Sequence, residues 1–255
     1  MIIFVHIPKT AGTSLAHAFD ASCHRRMLYD YDPGYANVVM RPGEEDLILR
    51  HKEFILNKFD YIHGHFYLSK YKKVFADQKF ATCFREPVER IISQFKHVYF
   101  MERASRVGKD IASGKMTIVD FAWQPNIHNA QWIHMDGHSL DDLDFFFLTN
   151  ALPHGIKVFN RIMSTNVRVP LRINTAEQRL QLAGLAPNNP SKDTKRPLAA
   201  DPGSDASGRP NATDVPGRRD PMQFTAGELA KLKQVARADI EFYQLVVQQY
   251  RARFG

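Results

Sequence analysis

Apolar runs and amphipathic segments alternate along the first 150 residues of the chain. Runs typical of buried strands cover residues 2–7, 59–63, 79–84 and 143–150. Between them, apolar residues recur at helical spacing after Gly12, over residues 42–58 and 67–74, and after Pro87. Strands that alternate with helices in this way favour βαβ units and a parallel sheet. The sequence therefore predicts a three-layer α/β fold, with a central parallel sheet flanked by helices.

The remaining segments are less regular. Residues 20–41 are typical of a loop, and helical patterns recur within residues 117–133. Residues 186–222 are rich in Pro, Gly, Asn, Asp and Ser, which predicts a long flexible loop. Residues 224–254 predict one long amphipathic helix, opened by a capping box of Thr225 and Glu228. A chain of 255 residues has the ordinary size of one domain, so we expect a single domain over residues 1–255.

Residues 4–15 join an apolar strand to a lysine, a turn of small residues and a helix start, Phe-Val-His-Ile-Pro-Lys-Thr-Ala-Gly-Thr-Ser-Leu. Gly12 permits a tight turn, and Thr13 or Ser14 can cap the helix. Free N–H groups at a helix start attract an anion, and Lys9 adds a full positive charge. The Walker A motif instead places its lysine at the end of a longer glycine loop. The segment predicts a phosphate site of another geometry; the alternative is a plain turn with a solvated lysine.

A second segment, residues 80–99, joins a buried strand to a helix that begins at Pro87. Arg85 follows the strand, and Ser93 lies about two turns into the helix. An arginine fork suits a phosphate dianion, and a serine hydroxyl can donate one more hydrogen bond. The alternative is a surface ion pair for Arg85 and a surface position for Ser93.

A third segment ends a short apolar run in His63-Gly64-His65. A histidine has an ordinary pKa of about 6.5, which suits a general base near neutral pH. His65 is the candidate base; His63 points to the other face of the strand as a structural or orienting neighbour. A structural role for His65, with a glutamate elsewhere as the base, is the alternative. No third ligand at a telling spacing accompanies the pair, so no metal site is predicted.

Together these three segments resemble the PAPS-dependent sulfotransferases (PAPS is 3′-phosphoadenosine-5′-phosphosulfate). The first is similar to their 5′-phosphosulfate loop, and Arg-x-Pro-x-x-Arg-x-x-Ser is similar to their 3′-phosphate motif. The Gly-His element resembles the carbohydrate O-sulfotransferase branch that includes heparan sulfate 2-O-sulfotransferase. The resemblance implies a P-loop-like fold related in architecture to the nucleotide kinases. It also implies a cofactor site formed by seven loop and turn residues and one helix residue: Lys9, Thr10, Ala11, Gly12, Thr13, Ser14, Arg85 and Ser93.

The activity implied by this resemblance is transfer of a sulfuryl group from PAPS to a carbohydrate hydroxyl, with PAP as the product and no metal requirement. His65 would take the proton of the acceptor, and Lys9 would stabilise charge on the bridging oxygen. Two positions depart from the family pattern, since Phe147 replaces a usual glycine and Asn150 a usual glutamate. Asn211 and Thr213 occupy the place of a family Asn-x-Ser/Thr element, with a flexible turn as the alternative.

Composition and charge limit the classes of partner and the compartment that we expect. The net charge of +7 favours anionic ligands, which include PAPS and an acidic glycan. The sequence has no dense Lys/Arg run and no RNA-recognition signature, so we expect no nucleic-acid partner. Two cysteines, Cys23 and Cys83, favour a reducing compartment over a disulfide framework.

Met1 leads straight into the first strand, and no apolar run approaches the length of a membrane span. We therefore expect a cytoplasmic, bacterial enzyme, or alternatively the catalytic domain of a membrane-anchored Golgi enzyme. Two other functions stay open: a P-loop-type kinase that uses ATP and Mg²⁺, and a non-catalytic module that binds a nucleotide or polyanion.

Overall fold

Five parallel strands form the centre of the protein in the computed structural model, which describes residues 1–22, 26–31, 41, 43–168 and 222–255. They are β1 (Ile2–Val5), β2 (Met27–Asp30), β3 (Tyr61–Gly64), β4 (Lys79–Phe84) and β5 (Phe145–Leu148). Their order across the sheet is β2-β3-β1-β4-β5. In this register Phe4 lies opposite His63 on one side and Ala81 on the other. The predicted α/β fold with a central parallel sheet flanked by helices is confirmed.

Eleven helices connect or flank these strands among the described residues. They are α1 (Gly12–Ser22), α2 (Glu44–Arg50), α3 (Lys52–Lys58), α4 (Leu68–Lys72), α5 (Pro87–Met101), α6 (Arg106–Ala112), α7 (Ile118–Ala122), α8 (Ala130–Met135), α9 (Leu152–Met163), α10 (Ala226–Val235) and α11 (Arg237–Phe254). Short 3-10 helices at Leu140–Asp142 and Thr149–Ala151 precede and follow β5. Among the described residues of the ranges 1–168 and 222–255, no helix is both long enough and apolar enough to cross a membrane.

Aromatic rings fix helices on both faces of the sheet. On one face Phe4 packs against Phe19 of α1 at 5.4 Å between ring centroids, and Phe147 packs against Phe159 of α9 at 5.1 Å. Side chains alternate along a strand, so Phe84 points to the other face. There it meets Phe242 of α11 at 5.5 Å. The core is therefore a three-layer arrangement, with the sheet between two helical layers.

A second apolar cluster lies beside the sheet, formed by helices α5, α6, α7 and α10. Phe95 of α5 is buried there between Phe121 of α7 and Phe224, which precedes α10, with ring centroids at 5.4 and 5.9 Å. This packing fixes the helix that follows β4, and hence the direction in which that helix carries Ser93.

Three predictions about secondary structure are wrong. Residues 20–41 contain the end of α1 and the edge strand β2, in which Met27 is buried but Tyr29 is exposed. Where one helix is predicted over residues 42–58, residues 44–58 form two helices divided at His51. The long C-terminal helix is also two helices, since α10 ends at Val235 and α11 begins at Arg237. The capping box of Thr225 and Glu228 is present as predicted.

Candidate active site at the carboxyl edge of the sheet

Parallel strands end at one edge of the sheet, and the residues that follow β1, β3, β4 and β5 line a cleft there. The cleft has a volume of about 980 Å³, the size range of small-molecule and cofactor sites. Strands β2 and β3 lie on one side of β1, and β4 and β5 lie on the other, so the strand order reverses direction at β1. Open α/β sheets bind ligands at such a reversal. Among the cleft-lining residues are most of the residues singled out from the sequence, namely Lys9, Ala11, Gly12, Thr13, Ser14, His65, Arg85 and Ser93.

The loop after β1 has an uncommon backbone. Lys9 and Ala11 adopt left-handed conformations, with φ of 68° and 65°, which cost non-glycine residues about 1–2 kcal/mol each. Left-handed residues at a turn can direct successive N–H groups to one concave face, an arrangement that binds anions. Thr10 does not line the cleft; its buried hydroxyl donates to the Ile7 carbonyl at 2.8 Å and holds the turn in place.

Gly12 has a role different from the predicted one. It is the first residue of α1, and the left-handed residues of the turn are Lys9 and Ala11 rather than Gly12. The His6 ring lies directly against it, so a Cβ at Gly12 would overlap the ring. Thr13 and Ser14, predicted as alternative caps, lie inside the first turn of α1. The first amides of a helix have no partner within it, so they are available to an anion at this end of α1.

The two predicted phosphate-binding segments meet in this cleft. Nη1 of Arg85 donates a hydrogen bond to the Lys9 carbonyl at 3.4 Å, and Ser93 of α5 lines the same wall. Strands β1 and β4 are direct neighbours, which explains why the residues that follow them come together. The segment after β1 and the segment after β4 thus form one continuous surface.

The backbone at Arg85 is fixed by residues distant in sequence. Its N–H donates to Oε1 of the fully buried Gln131 at 2.8 Å. Gln131 lies in the first turn of α8, and the buried carboxylate of Asp239 accepts from the amides of Gln131 and Trp132 at 3.2 and 2.9 Å. Burial raises the pKa of Asp239, while these amides and Arg90 oppose the shift. Sequence analysis missed Gln131 and Asp239, whose role depends on long-range contacts.

Glu89 adds a negative charge to this part of the cleft. It lies in the first turn of α5, four residues after Arg85, and its Oε2 is 3.5 Å from Nε of Arg85. The Glu89 side chain is 64% exposed, so the ion pair contributes little to stability. An anion bound by Arg85 would compete with this carboxylate.

His65 follows β3 and is oriented by the backbone of β1. Its Nδ1 lies 2.6 Å from the His6 carbonyl oxygen. A carbonyl only accepts hydrogen bonds, so Nδ1 carries the hydrogen and the lone pair of the neutral ring is on Nε2. Burial lowers the pKa of His65, and the hydrogen bond to the His6 carbonyl opposes this shift. At neutral pH the ring is therefore uncharged and able to accept a proton at Nε2.

Sequence analysis missed two residues beside His65. The His6 ring stacks on the His65 ring with centroids 4.3 Å apart, and the Tyr31 ring lies edge-on to His65 at 4.9 Å. His63 is fully buried under this pair, with its ring parallel to Phe4 at 4.9 Å. The prediction that His63 lies on the other face of the strand is wrong, because residues i and i+2 share one face and the His6 ring contacts both His63 and His65. A structural or orienting role for His63 stays a prediction. His6 could have been considered from the sequence, because it lies three residues before Lys9. Tyr31 lies in residues 20–41, which were predicted as a loop and contain no motif that indicates a site.

Other residues considered from the sequence lie at or outside this cleft. Asn150 lines the cleft beside Thr149. Asn211, Thr213, Cys23 and the predicted loop at 186–222, up to residue 221, lie outside the described residues.

Of the two cysteines, only Cys83 lies among the described residues. Cys83 is buried and free in β4, and burial raises the pKa of its thiol. Within the part of the chain that the structure describes, no group of three or more His, Cys, Asp or Glu side chains is placed to hold a metal ion.

Comparisons with family models, curated proteins and solved structures give different results. No protein-family model matches the chain, and no curated protein matches it. Among solved structures, the chain is similar to the crystal structure of a sulfotransferase from Alicyclobacillus acidocaldarius. The identity is 15%, the similarity covers 72% of this chain and 90% of the other, and the TM-score is 0.40. The proposal of function therefore depends on the geometry of the cleft.

Proposed function

We propose that this protein is a PAPS-dependent sulfotransferase that modifies a carbohydrate hydroxyl. The observation that carries the proposal is the contact of Arg85 with the Lys9 carbonyl at 3.4 Å. This contact joins a helix-start anion site to an arginine and a serine within one cleft. A ligand with phosphate groups on the 5′ and 3′ positions of one adenosine matches two such sites in one cleft.

The residues present fit PAPS at both ends. The first-turn amides of α1 and the Lys9 side chain would hold the 5′-phosphosulfate, because a helix N-terminus and an ammonium group both favour an anion. Arg85 and Ser93 would hold the 3′-phosphate through charge-assisted hydrogen bonds. This second phosphate distinguishes PAPS from ATP, so we assign the selectivity for PAPS to Arg85. When bound, PAPS would supply the activated sulfuryl group.

Lys9 has a second role in the proposal. Negative charge develops on the bridging oxygen as the sulfuryl group departs, and a fixed positive charge beside it lowers the barrier. Lys9 is held at this place by its left-handed backbone and by the hydrogen bond from Arg85 to its carbonyl. We therefore assign it to electrostatic stabilisation in addition to binding.

His65 is the proposed general base. Its Nδ1 is committed to the His6 carbonyl at 2.6 Å, which directs the basic lone pair to Nε2. A hydroxyl of the acceptor would transfer its proton to Nε2 as its oxygen attacks sulfur. The lowered pKa of His65 keeps the ring neutral at pH 7, so the base is active in the cytoplasmic pH range.

The acceptor is proposed to be a glycan, with an anionic glycan favoured by the basic chain. The net charge is +7, and such a field attracts acidic substrates. The cytoplasm is the proposed compartment, in agreement with the buried free thiol of Cys83.

The experiment is transfer of radiolabel from ³⁵S-PAPS to a panel of neutral and anionic glycans. We expect labelled glycan with wild-type protein and a loss of turnover of roughly 10² or more in Lys9→Ala. Lys231→Ala, at an exposed position on α10, is the matched control. Phosphoryl transfer from ATP and Mg²⁺ without any sulfuryl transfer would refute the proposal in favour of a kinase. Tight PAP binding without turnover on any glycan would favour the non-catalytic module.

A further inference from the structure

One phenol connects two buried histidines beside the cleft. The Tyr31 hydroxyl lies 2.7 Å from Nδ1 of His6 and 2.6 Å from Nδ1 of His63. His6 is 6% exposed and His63 is 0% exposed. Tyr31 directly follows the edge strand β2, His6 directly follows β1, and His63 lies in β3, so the hydroxyl links the ends of three neighbouring strands.

The number of hydrogens at this junction restricts the two rings. A phenol has one hydrogen to donate, and its oxygen can accept another hydrogen bond. With both rings neutral, the hydroxyl donates to one Nδ1 and accepts from the other. His6 and His63 must then be opposite tautomers, one with its hydrogen on Nδ1 and the other with its hydrogen on Nε2.

The same junction reaches His65 through His6. The His6 and His65 rings stack at 4.3 Å with 26° between their planes, and the His6 backbone carbonyl accepts the Nδ1 hydrogen of His65 at 2.6 Å. The Tyr31 ring covers the edge of His65 at 4.9 Å. The orientation of His65 thus depends on the backbone of His6, the ring of His6 and the ring of Tyr31.

We propose that Tyr31, His6 and His63 are positioning residues for His65. The Tyr31 hydroxyl fixes His6 and His63 as opposite tautomers and holds the His6 ring in its stack against His65. The inference rests on the proposed function for the role of His65, whereas the tautomers follow from the contacts alone.

Burial supports the neutral state of these rings. The pKa of His6 is held well below its usual value by burial, and next by the neighbouring His65, His63, His134 and Lys9. Burial and His65 lower the pKa of His63 to about 3, against a smaller opposing effect of the Gly12 backbone. Burial also raises the pKa of Tyr31, with Tyr29 adding to the shift. The phenol therefore keeps its hydrogen, and the two imidazoles stay uncharged near neutral pH.

The network also determines where a proton on His65 can go. Stacked rings have no hydrogen bond between them, and a charged His6 would be buried beside other histidines. A proton taken from the acceptor hydroxyl forms an N–H bond at Nε2 of His65. His6 thus positions the base and does not relay its proton.

The test combines nitrogen NMR with kinetics on Tyr31→Phe. This variant keeps the ring that covers His65 and removes only the bridging hydroxyl. In wild-type protein we expect the ¹⁵N spectra to show opposite tautomers for His6 and His63, and Nδ1–H for His65. In the variant we expect kcat to fall by roughly ten- to a hundredfold, as for other outer hydrogen bonds that orient a functional histidine. The KM for PAPS should be unchanged.

Tyr250→Phe is the matched control, because the Tyr250 hydroxyl contacts Nδ1 of His154 at 3.2 Å outside this cluster. Its kcat should stay close to the wild-type value. The same tautomer for His6 and His63 in the wild type, or an unchanged kcat in Tyr31→Phe, would overturn the inference. Opposite tautomers in a protein that transfers no sulfuryl group would support the network and refute the proposed function, so the two failures are distinguishable.

Discussion

A methyl group added at Gly12 tests the packing between the phosphate loop and the histidine cluster. Gly12 begins α1, and a Cβ there would overlap the His6 ring. That ring is held by the Tyr31 hydroxyl at 2.7 Å and by the stack on His65. It cannot move aside without breaking one of these contacts.

Two opposing effects decide the sign of the change in stability. Alanine is more favourable than glycine in a helix by about 0.5–1 kcal/mol. Overpacking a buried site costs about 1–3 kcal/mol, and displacement of His6 adds the loss of a hydrogen bond, at about 0.5–1.5 kcal/mol. We therefore expect Gly12→Ala to lower the free energy of unfolding by about 0.5–4 kcal/mol.

The assay is urea unfolding of Gly12→Ala beside Gly227→Ala. Gly227 also lies in the first turn of a helix, but the nearest atom to its added Cβ is Oγ1 of Thr225 at 4.0 Å. This control should therefore gain up to about 1 kcal/mol. In a His6→Ala background the penalty of Gly12→Ala should disappear, because the ring that it strikes is gone. Equal stabilisation by both glycine substitutions in the wild-type background would refute the reasoning.

Two further results are expected. Glu89→Gln should tighten PAP binding by up to about fivefold, since an exposed carboxylate 3.5 Å from Arg85 competes weakly with the 3′-phosphate; weaker binding by isothermal titration would contradict this. Acid should destabilise the fold, because burial lowers the pKa of His63 to about 3 and of His134 to about 4, below the unfolded value of about 6.5. The unfolded chain then binds more protons, so the free energy of unfolding falls as the pH drops below about 6.5, by up to about 1.4 kcal/mol per pH unit for each group. Urea titrations at different pH values would test this, and a flat or opposite trend would contradict it.

The central elements of the fold could be predicted because their signals are local. Strands β1, β3, β4 and β5 are short apolar runs followed by turns, and their burial on both faces removes the need for alternation. Strand β2 lacks such a run, since one of its four residues, Tyr29, is exposed and only Met27 is buried. The break between α10 and α11 at Ala236 also has no Gly or Pro signal, and it reflects tertiary packing.

The candidate site could be predicted only where a motif is contiguous. Lys9 and the loop after it, Arg85 with Ser93, and His65 each follow a strand, so the parallel sheet brings them to one edge. Tyr31 and Gln131 come from separate segments, and their positions depend on hydrogen bonds to distant partners. The steric need for glycine at position 12 could not be predicted either, because it comes from the His6 ring, six residues earlier in the sequence.

Binding of PAP and of 5′-AMP by wild type, Lys9→Ala and Arg85→Gln is the measurement that tests most directly whether one cleft binds both ends of one nucleotide. We expect wild type to prefer PAP, which alone carries the 3′-phosphate, and Arg85→Gln to lose that preference while it binds AMP as before. Lys9→Ala should weaken both ligands by a similar factor. Equal affinity of wild type for PAP and AMP, or equal weakening of both by Arg85→Gln, would contradict the assignment of the two phosphate sites.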